Sequence, residues 1–171
     1  MQRLFVAVWP PPEVLDRLAA LARPEFDGLK WTDRNQWHVT LRFLGPVPDV
    51  QPVRTGLAGI EADGPAPVVL GPAVGRFGQR ILHVPVAGMD TLASAVVGAT
   101  AHLGQAPDDR PFSGHVTLAR VARDAKLDLR TLAGAAVAAE WTVSDVCLVE
   151  SHLSRAGAEY EVLERFPLAN R

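Results

Sequence analysis

Two tetrapeptides in the 171-residue chain are identical, His38-Val39-Thr40-Leu41 and His115-Val116-Thr117-Leu118, in a sequence with only five histidines. In an extended strand successive side chains alternate faces, so His and Thr at i and i+2 point one way while Val and Leu point the other. Each copy therefore predicts an apolar strand that presents one imidazole and one hydroxyl on a polar face. If the two halves of the chain are related by an approximate two-fold, these polar faces meet across a cleft and bracket one bound group. An imidazole titrates near neutral pH and either gives or takes a proton. Two facing imidazoles suit in-line displacement at phosphorus, where the entering and leaving oxygens lie on opposite sides. One neutral His removes a proton from water and the other, protonated, delivers one to the departing alkoxide. Thr40, Thr117 and an arginine then bind the non-bridging oxygens as charge builds. Arg120, at i+5 from His115 near the end of the same strand, is the first choice for that arginine. A strained cyclic phosphate is a substrate that such a small apparatus could open without metal.

Other uses of these residues compete with this one. A single His-x-Thr on a strand is ordinary β-propensity with a hydrogen-bonded histidine; its repetition is what points to a site. A two-histidine metal centre is the rival. Zinc and iron sites want three or four protein ligands, commonly including a carboxylate or thiolate, and neither motif contains one, so no metal and no cofactor are expected. His83, His102 and His152 lack the pattern and are assigned to structure or surface. Further substrate contacts are expected from Arg42, which alternation places on the face of Thr40, while Phe43 is assigned to the core. Arg76, Arg80 and Arg110 lie in or beside turns, and Phe112, near the second motif, offers a ring on which a base could stack. The bland alternative for each arginine is a solvated surface charge.

Hydrophobic periodicity and turn residues predict the elements that position these groups. Strands are expected over 4–9, 37–44, 68–76, 80–86, 115–121, 141–152 and 159–166. Helices are expected over 13–22, 50–61, 90–103 (capped by Asp90) and 127–139, with turns or loops at 30–36 and 104–114. Strand-helix-strand thus occurs once in each half with no low-complexity linker between them, which predicts one α+β domain of two lobes, spanning residues 1–171, with antiparallel pairing.

Composition bounds the rest. At 48% apolar residues, the chain is long enough to bury a sizeable core. Cys147 has no partner cysteine, lies in an apolar run and reads as a small buried hydrophobe. No apolar run approaches a membrane span, and the short run before Pro10 resembles no signal peptide; a cytoplasmic protein, most simply a monomer, is expected. The formal net charge of −2 advertises no nucleic-acid coat. If RNA is the substrate, recognition must be local, through a few arginines around one phosphate.

The paired motifs resemble those of the two-histidine (2H) phosphoesterase superfamily. The flanking text resembles the bacterial and archaeal RNA 2′,3′-cyclic phosphodiesterases, also called 2′-5′ RNA ligases (LigT-like). The matching pieces are RLFVAV, WHVTLRFLG, GRFGQR, GHVTLAR and LVESHLSRAGAEYEVLERFPL, which run from Arg3 to Leu168. The resemblance implies a bilobal 2H phosphoesterase fold: two pseudo-two-fold-related antiparallel sheets, helices outside, a central cleft. It implies hydrolysis of 2′,3′-cyclic phosphate ends of RNA, tRNA fragments among them, to 2′-phosphates, with reversible, ATP-independent 2′-5′ ligation. It also implies roles: His38 protonates the leaving 3′ oxygen, His115 activates water, and Thr40, Thr117 and Arg120 hold the phosphate. The alternatives are an RNA-end binding protein without turnover and a related enzyme acting on a small cyclic nucleotide. Two positions depart from the family pattern. Gly114 stands where a proline often precedes the second motif, and His83 stands where a tryptophan often follows the GRFGQR turn.

Overall fold

The first strand, β1 (Gln2–Val8), is buried from Leu4 through Val8, as a continuous apolar run requires. The computed structural model describes residues 1–169. Prolines end β1, and one of them opens α1 (Pro12–Ala19) at a position where the missing N–H costs nothing. Val14 and Leu18, one turn apart, bury the inner face of that helix. There follow β2 (Leu29–Trp31), β3 (Val39–Val47), α2 (Gln51–Ala58), β4 (Ala66–Leu70), β5 (Gly75–Phe77), β6 (Ile81–Ala87), α3 (Asp90–Thr100), β7 (His115–Val121), β8 (Ala139–Val143), β9 (Asp145–Ser154) and β10 (Gly157–Pro167).

The strands pair antiparallel in the order β10-β9-β1-β3-β7-β6-β4-β8, with β2 added beside β7 and β5 beside β6. Four strands thus lie on each side of the β3–β7 junction, where Val39 faces Val116. Antiparallel neighbours are related by a local two-fold. Because these valines hold the same place in the two tetrapeptides, that two-fold carries one motif onto the other. Only Ser144 separates β8, last in the order, from β9, second in the order. So short a link forces the sheet to curl until its ends approach.

Helix α3 packs on β3 and α2, and α1 packs against β8. One hydrophobic cluster draws residues from both halves, from Leu4 to Leu168. A smaller one, of Phe5, Ala7, Cys147 and Val149 backed by Trp9 and Tyr160, lies on the other face of β1 and β9. Trp37, fully buried, ties the halves together. Its Nε1–H donates to the Thr32 hydroxyl at 3.0 Å, and that hydroxyl reaches the carbonyls of Thr117 and Leu118 at 2.8 and 2.9 Å. Truncating a buried Trp to Ala costs about 3–5 kcal/mol, and here it also removes the anchor directly before His38.

Several expected elements are corrected. The helix expected over 127–139 does not form; the segment holds a 3-10 turn, Leu129–Thr131, begun by the Asp128 carboxylate accepting from the Arg130 N–H. Gly134, at φ +98°, is incompatible with a continuing helix, and Ala136 bridges to Ala73 instead. Tertiary pairing overrides the helix propensity of the alanines. The strand expected over 141–152 is two strands, β8 pairing with β4 and β9 with β1. The strand expected over 68–76 breaks at Gly71-Pro72 into β4 and β5. The turn expected over 30–36 includes the end of β2 as well as a 3-10 turn, Arg34–Gln36. Asp90 is the first residue of α3 rather than its cap; the capping position is Met89, with no side-chain hydrogen bond.

Candidate active site

His38 stands directly before β3 and His115 opens β7, so each imidazole sits where a loop enters the central pair of strands. A matching backbone contact orients both rings. His38 Nδ1 lies 2.6 Å from the carbonyl oxygen of Gln36, and His115 Nδ1 lies 2.7 Å from that of Ser113. A carbonyl only accepts, so in each ring Nδ1 carries the proton and donates, which leaves Nε2 as the reactive nitrogen. The Gln36 carbonyl is itself fixed, because Asp33 and Gln36 close a reciprocal capping box around the 3-10 turn. The Thr40 hydroxyl is 3.0 Å from His38 Nε2 and can donate to it.

Both rings, together with Thr40, Thr117 and Arg120, line one cleft of about 500 Å³. Arg3 and Lys30 add two more cations to its wall, and among the described residues no Asp, Glu or Cys lines it. Among the described residues, the group of three side chains able to hold a metal ion is Glu150, His152 and Glu161, on β9 and β10. Alternation puts Glu150 and His152 on the face of β9 opposite Ser151 and Leu153, which line the cleft.

The two imidazoles differ in surroundings. His38 is enclosed by three rings, Phe5, Trp9 and Tyr160, with centroids 5.1, 5.0 and 5.1 Å away. Burial pushes its pKa down to about 4; the Gln36 carbonyl opposes the shift, and the charges of Arg120 and His115 add to it. His115 meets Phe77 and His83 edge to face, with centroids 4.8 and 5.6 Å away. His83 is itself buried, and that burial, with the charge of His115, lowers its pKa to about 4.

Strand irregularities decide which other side chains reach the cleft. Against β1, Thr40 pairs with Ala7 and Arg42 with Val6, so Leu41 is an extra residue, and Leu44 is a second one between Phe43 and Gly45. Against β6, Thr117 pairs with His83 and Ala119 with Leu82, so Leu118 is extra. The leucine of each motif is thus a β-bulge residue, which reverses the alternation after it. The expectation for Arg42 and Phe43 is corrected accordingly. Arg42 turns inward, 5% exposed, and donates to the carbonyls of Phe43, Leu103 and Gln105, where it holds the loop after α3. Phe43, 39% exposed, turns into the cleft with the Arg3 guanidinium 4.9 Å from its ring centre. The same reversal brings Arg120 to the face of Thr117.

The weaker expected contacts lie outside the cleft lining. Arg76 donates to the carbonyl of Gly78 at 2.8 Å and closes its own turn. Arg80 is held by the carbonyls of Ala122 and Arg123. Arg110 is exposed and paired with Asp108 at 2.7 Å; with Phe112 it lines a neighbouring groove beside α3. Backbone carbonyls and a carboxylate have claimed these guanidiniums. Alternation from the motifs missed Arg3, Lys30 and Tyr160 altogether, because β1, β2 and β10 carry no signal near a histidine. Phe43 was discoverable by laying one motif over the other, since it falls in line with Arg120.

Comparison with known proteins agrees with this geometry. Residues 10–155 match the family model of the 2′-5′ RNA ligase superfamily. A Thermus thermophilus protein named RNA 2′,3′-cyclic phosphodiesterase is 33% identical over 97% of this chain and 90% of its own length. A Geobacillus stearothermophilus protein of the same name is 29% identical over 91% of this chain; the chain spans about half of that relative, 53%. A solved structure from Thermus thermophilus superposes with a TM-score of 0.80 at 30% identity, covering 97% of each chain. E. coli LigT complexed with 3′-AMP superposes at 0.74, at 24% identity and covering 98% of each chain, and shows the same fold. The curled antiparallel sheet, its outer helices and the duplicated motif facing one cleft are therefore the bilobal 2H phosphoesterase fold, and this chain belongs to the 2′-5′ RNA ligase superfamily.

Proposed function

We propose that this chain is a metal-independent RNA 2′,3′-cyclic phosphodiesterase, with 2′-5′ ligation as the reverse reaction. One observation carries the proposal: two Nδ1–H···O=C hydrogen bonds aim two Nε2 atoms into one cleft from strands related by a local two-fold. Both relatives described above bear the name of this activity. A binding protein would need the cations and hydroxyls but not a titratable group on each side.

In the reaction, His115 Nε2 takes a proton from water as its oxygen bonds to phosphorus. The bond from phosphorus to the 3′ oxygen breaks opposite, and His38 Nε2–H protonates that oxygen, leaving phosphate on the 2′ oxygen. Thr40, Thr117 and Arg120 hold the non-bridging oxygens, where preorganised donors are worth most. Arg3 and Lys30 extend the positive wall toward further phosphates of an RNA strand, which favours RNA over a small cyclic nucleotide. In the protein alone His38 is neutral at pH 7, since burial holds its pKa near 4. Its acid role therefore requires the charge of the bound phosphate anion to raise that pKa, so that Nε2 takes up a proton from water before the ring opens. An opposite charge within about 4–6 Å favours the charged form by about 1–3 pKa units.

The test is hydrolysis of an oligoribonucleotide with a 2′,3′-cyclic end in excess EDTA, with products identified by phosphorus NMR. Undiminished turnover to a 2′-phosphate is expected. Loss of activity restored by a divalent ion would overturn the two-imidazole mechanism, and a 3′-phosphate product would reverse the binding mode.

A further inference from the structure

His83 is the one histidine beside the cleft that the motifs do not account for. It sits on β6 with Thr117 of the second motif as its neighbour across one side and Gly75 across the other. Its ring lies parallel to that of Phe77, centroids 3.9 Å apart and planes 4° from coincidence. The His115 ring stands at 83° to both. Gly75 makes room for this stack, since a Cβ there would come within 3.1 Å of His83 Cε1. His83 is 7% exposed and its Nδ1 has no hydrogen-bond partner among the described residues. A buried imidazole with an unpaired nitrogen is a cost to the fold. What stands against that cost is a rigid stacked pair beside a ring whose only other described anchor is a single hydrogen bond to the Ser113 carbonyl.

We infer that His83 is a positioning residue for His115: with Phe77 it forms a stacked pair whose adjacent edges pack against the His115 imidazole, so that the ring cannot swing away from the Ser113 carbonyl and Nε2 stays directed into the cleft. The second half of the molecule thereby reaches, with two rings, what Phe5, Trp9 and Tyr160 do for His38 in the first. The role asks for a flat ring that completes the stack with Phe77, not for an imidazole. The inference rests on the assignment of His115 to the reaction given above, while its structural half is testable without turnover.

The experiment compares wild type with His83→Leu, His83→Phe and the more exposed Phe77→Leu. Steady-state kinetics on a 2′,3′-cyclic mononucleotide are paired with 15N NMR of the His115 ring in protein without ligand. His83→Leu and Phe77→Leu are expected to lower kcat about 10-fold, with KM changed less than about twofold, as small misplacements of a reacting group do. Both should replace the single Nδ1–H tautomer of His115 with a mixture. His83→Phe should restore both readouts, and the leucine double mutant should lose little more than either single mutant. An unchanged His115 tautomer in His83→Leu would overturn the inference, whatever the activity. Loss of kcat in His83→Phe with the His115 tautomer intact would also overturn it, by showing that the His83 imidazole is needed for itself. If His115→Ala proved as active as wild type, the catalytic assignment would fail, while the tautomer measurement would still decide whether His83 orients the ring.

Discussion

The two halves of the site share a sequence, a strand position and a hydrogen-bonding scheme, yet they are not equivalent. In each, a histidine donates Nδ1–H to the carbonyl two residues earlier, a threonine follows on the same face, and a bulged leucine reverses the strand. The first half then closes three rings around its histidine and places Phe43 in the cleft. The second leaves its histidine half-buried against two rings and places Arg120 at the matching position. Duplication thus fixes where the two imidazoles stand, and the packing around the first copy decides the charge of its ring. An apolar cage disfavours the imidazolium, while an arginine beside the second copy awaits the anion.

The largest effect should come from removing either imidazole. His38→Ala and His115→Ala are each expected to lose about 10²–10⁴-fold in turnover, and the double mutant less than the product of the two, because both act in one transition state. A substrate with a good leaving group at the scissile position barely needs the acid. It should largely rescue His38→Ala and not His115→Ala; rescue of His115→Ala instead would exchange the roles.

Residues Phe43 and Arg120, which answer each other across the two-fold, should separate kinetically. Arg120→Ala is expected to lower kcat by about 10²-fold or more, as loss of a donor to the developing charge does. Phe43→Ala is expected to act mainly on KM, since a ring under the Arg3 guanidinium can contribute to binding but carries no donor for the phosphate. Equal losses of kcat in both would show that the two positions serve the phosphate alike.

The smallest effect concerns charge. NMR titration of the free protein should find His38 near pH 4, and saturating 2′-phosphate product should raise it. No rise would remove His38 from the acid role. For stability the sign follows from linkage. His38 and His83 both fall from 6.5 to about 4 on folding, so between those values the unfolded chain binds more protons. Their contribution is complete above about pH 6.5 and is lost as pH falls toward 4. The melting temperature of His83→Phe should therefore decline less than that of wild type between pH 6.5 and 4, measured by circular dichroism.

Much of the site was legible without coordinates because it is written twice. The repeated His-Val-Thr-Leu named both histidines and both threonines as a set facing one way, and the strand over 115–121 was found to the residue. Short-range patterns carried this, since period-two alternation is a property of the backbone and holds over four residues in any sheet. The boundaries that failed were those where a partner strand intervened. Nothing in the run from Trp141 to His152 says that its two parts pair near opposite ends of a curled sheet, and nothing in the alanines before it says that they yield their helix to a bridge with Ala73.

Residue types and local spacing were enough for the chemistry: two imidazoles, two hydroxyls, no carboxylate or thiol among them, and a chain able to bury a core. The direction of side chains beyond the motifs, and the charge state within them, came only with the assembled sheet. A bulge exists only against a neighbouring strand, so no amount of alternation could have sent Arg42 inward or brought Phe43 and Arg120 into the cleft. A pKa likewise depends on what excludes water. For His38 that work is done by Phe5, Trp9 and Tyr160, two residues from β1 and the loop after it and one from β10, which are far apart in the chain and adjacent only when the sheet has formed.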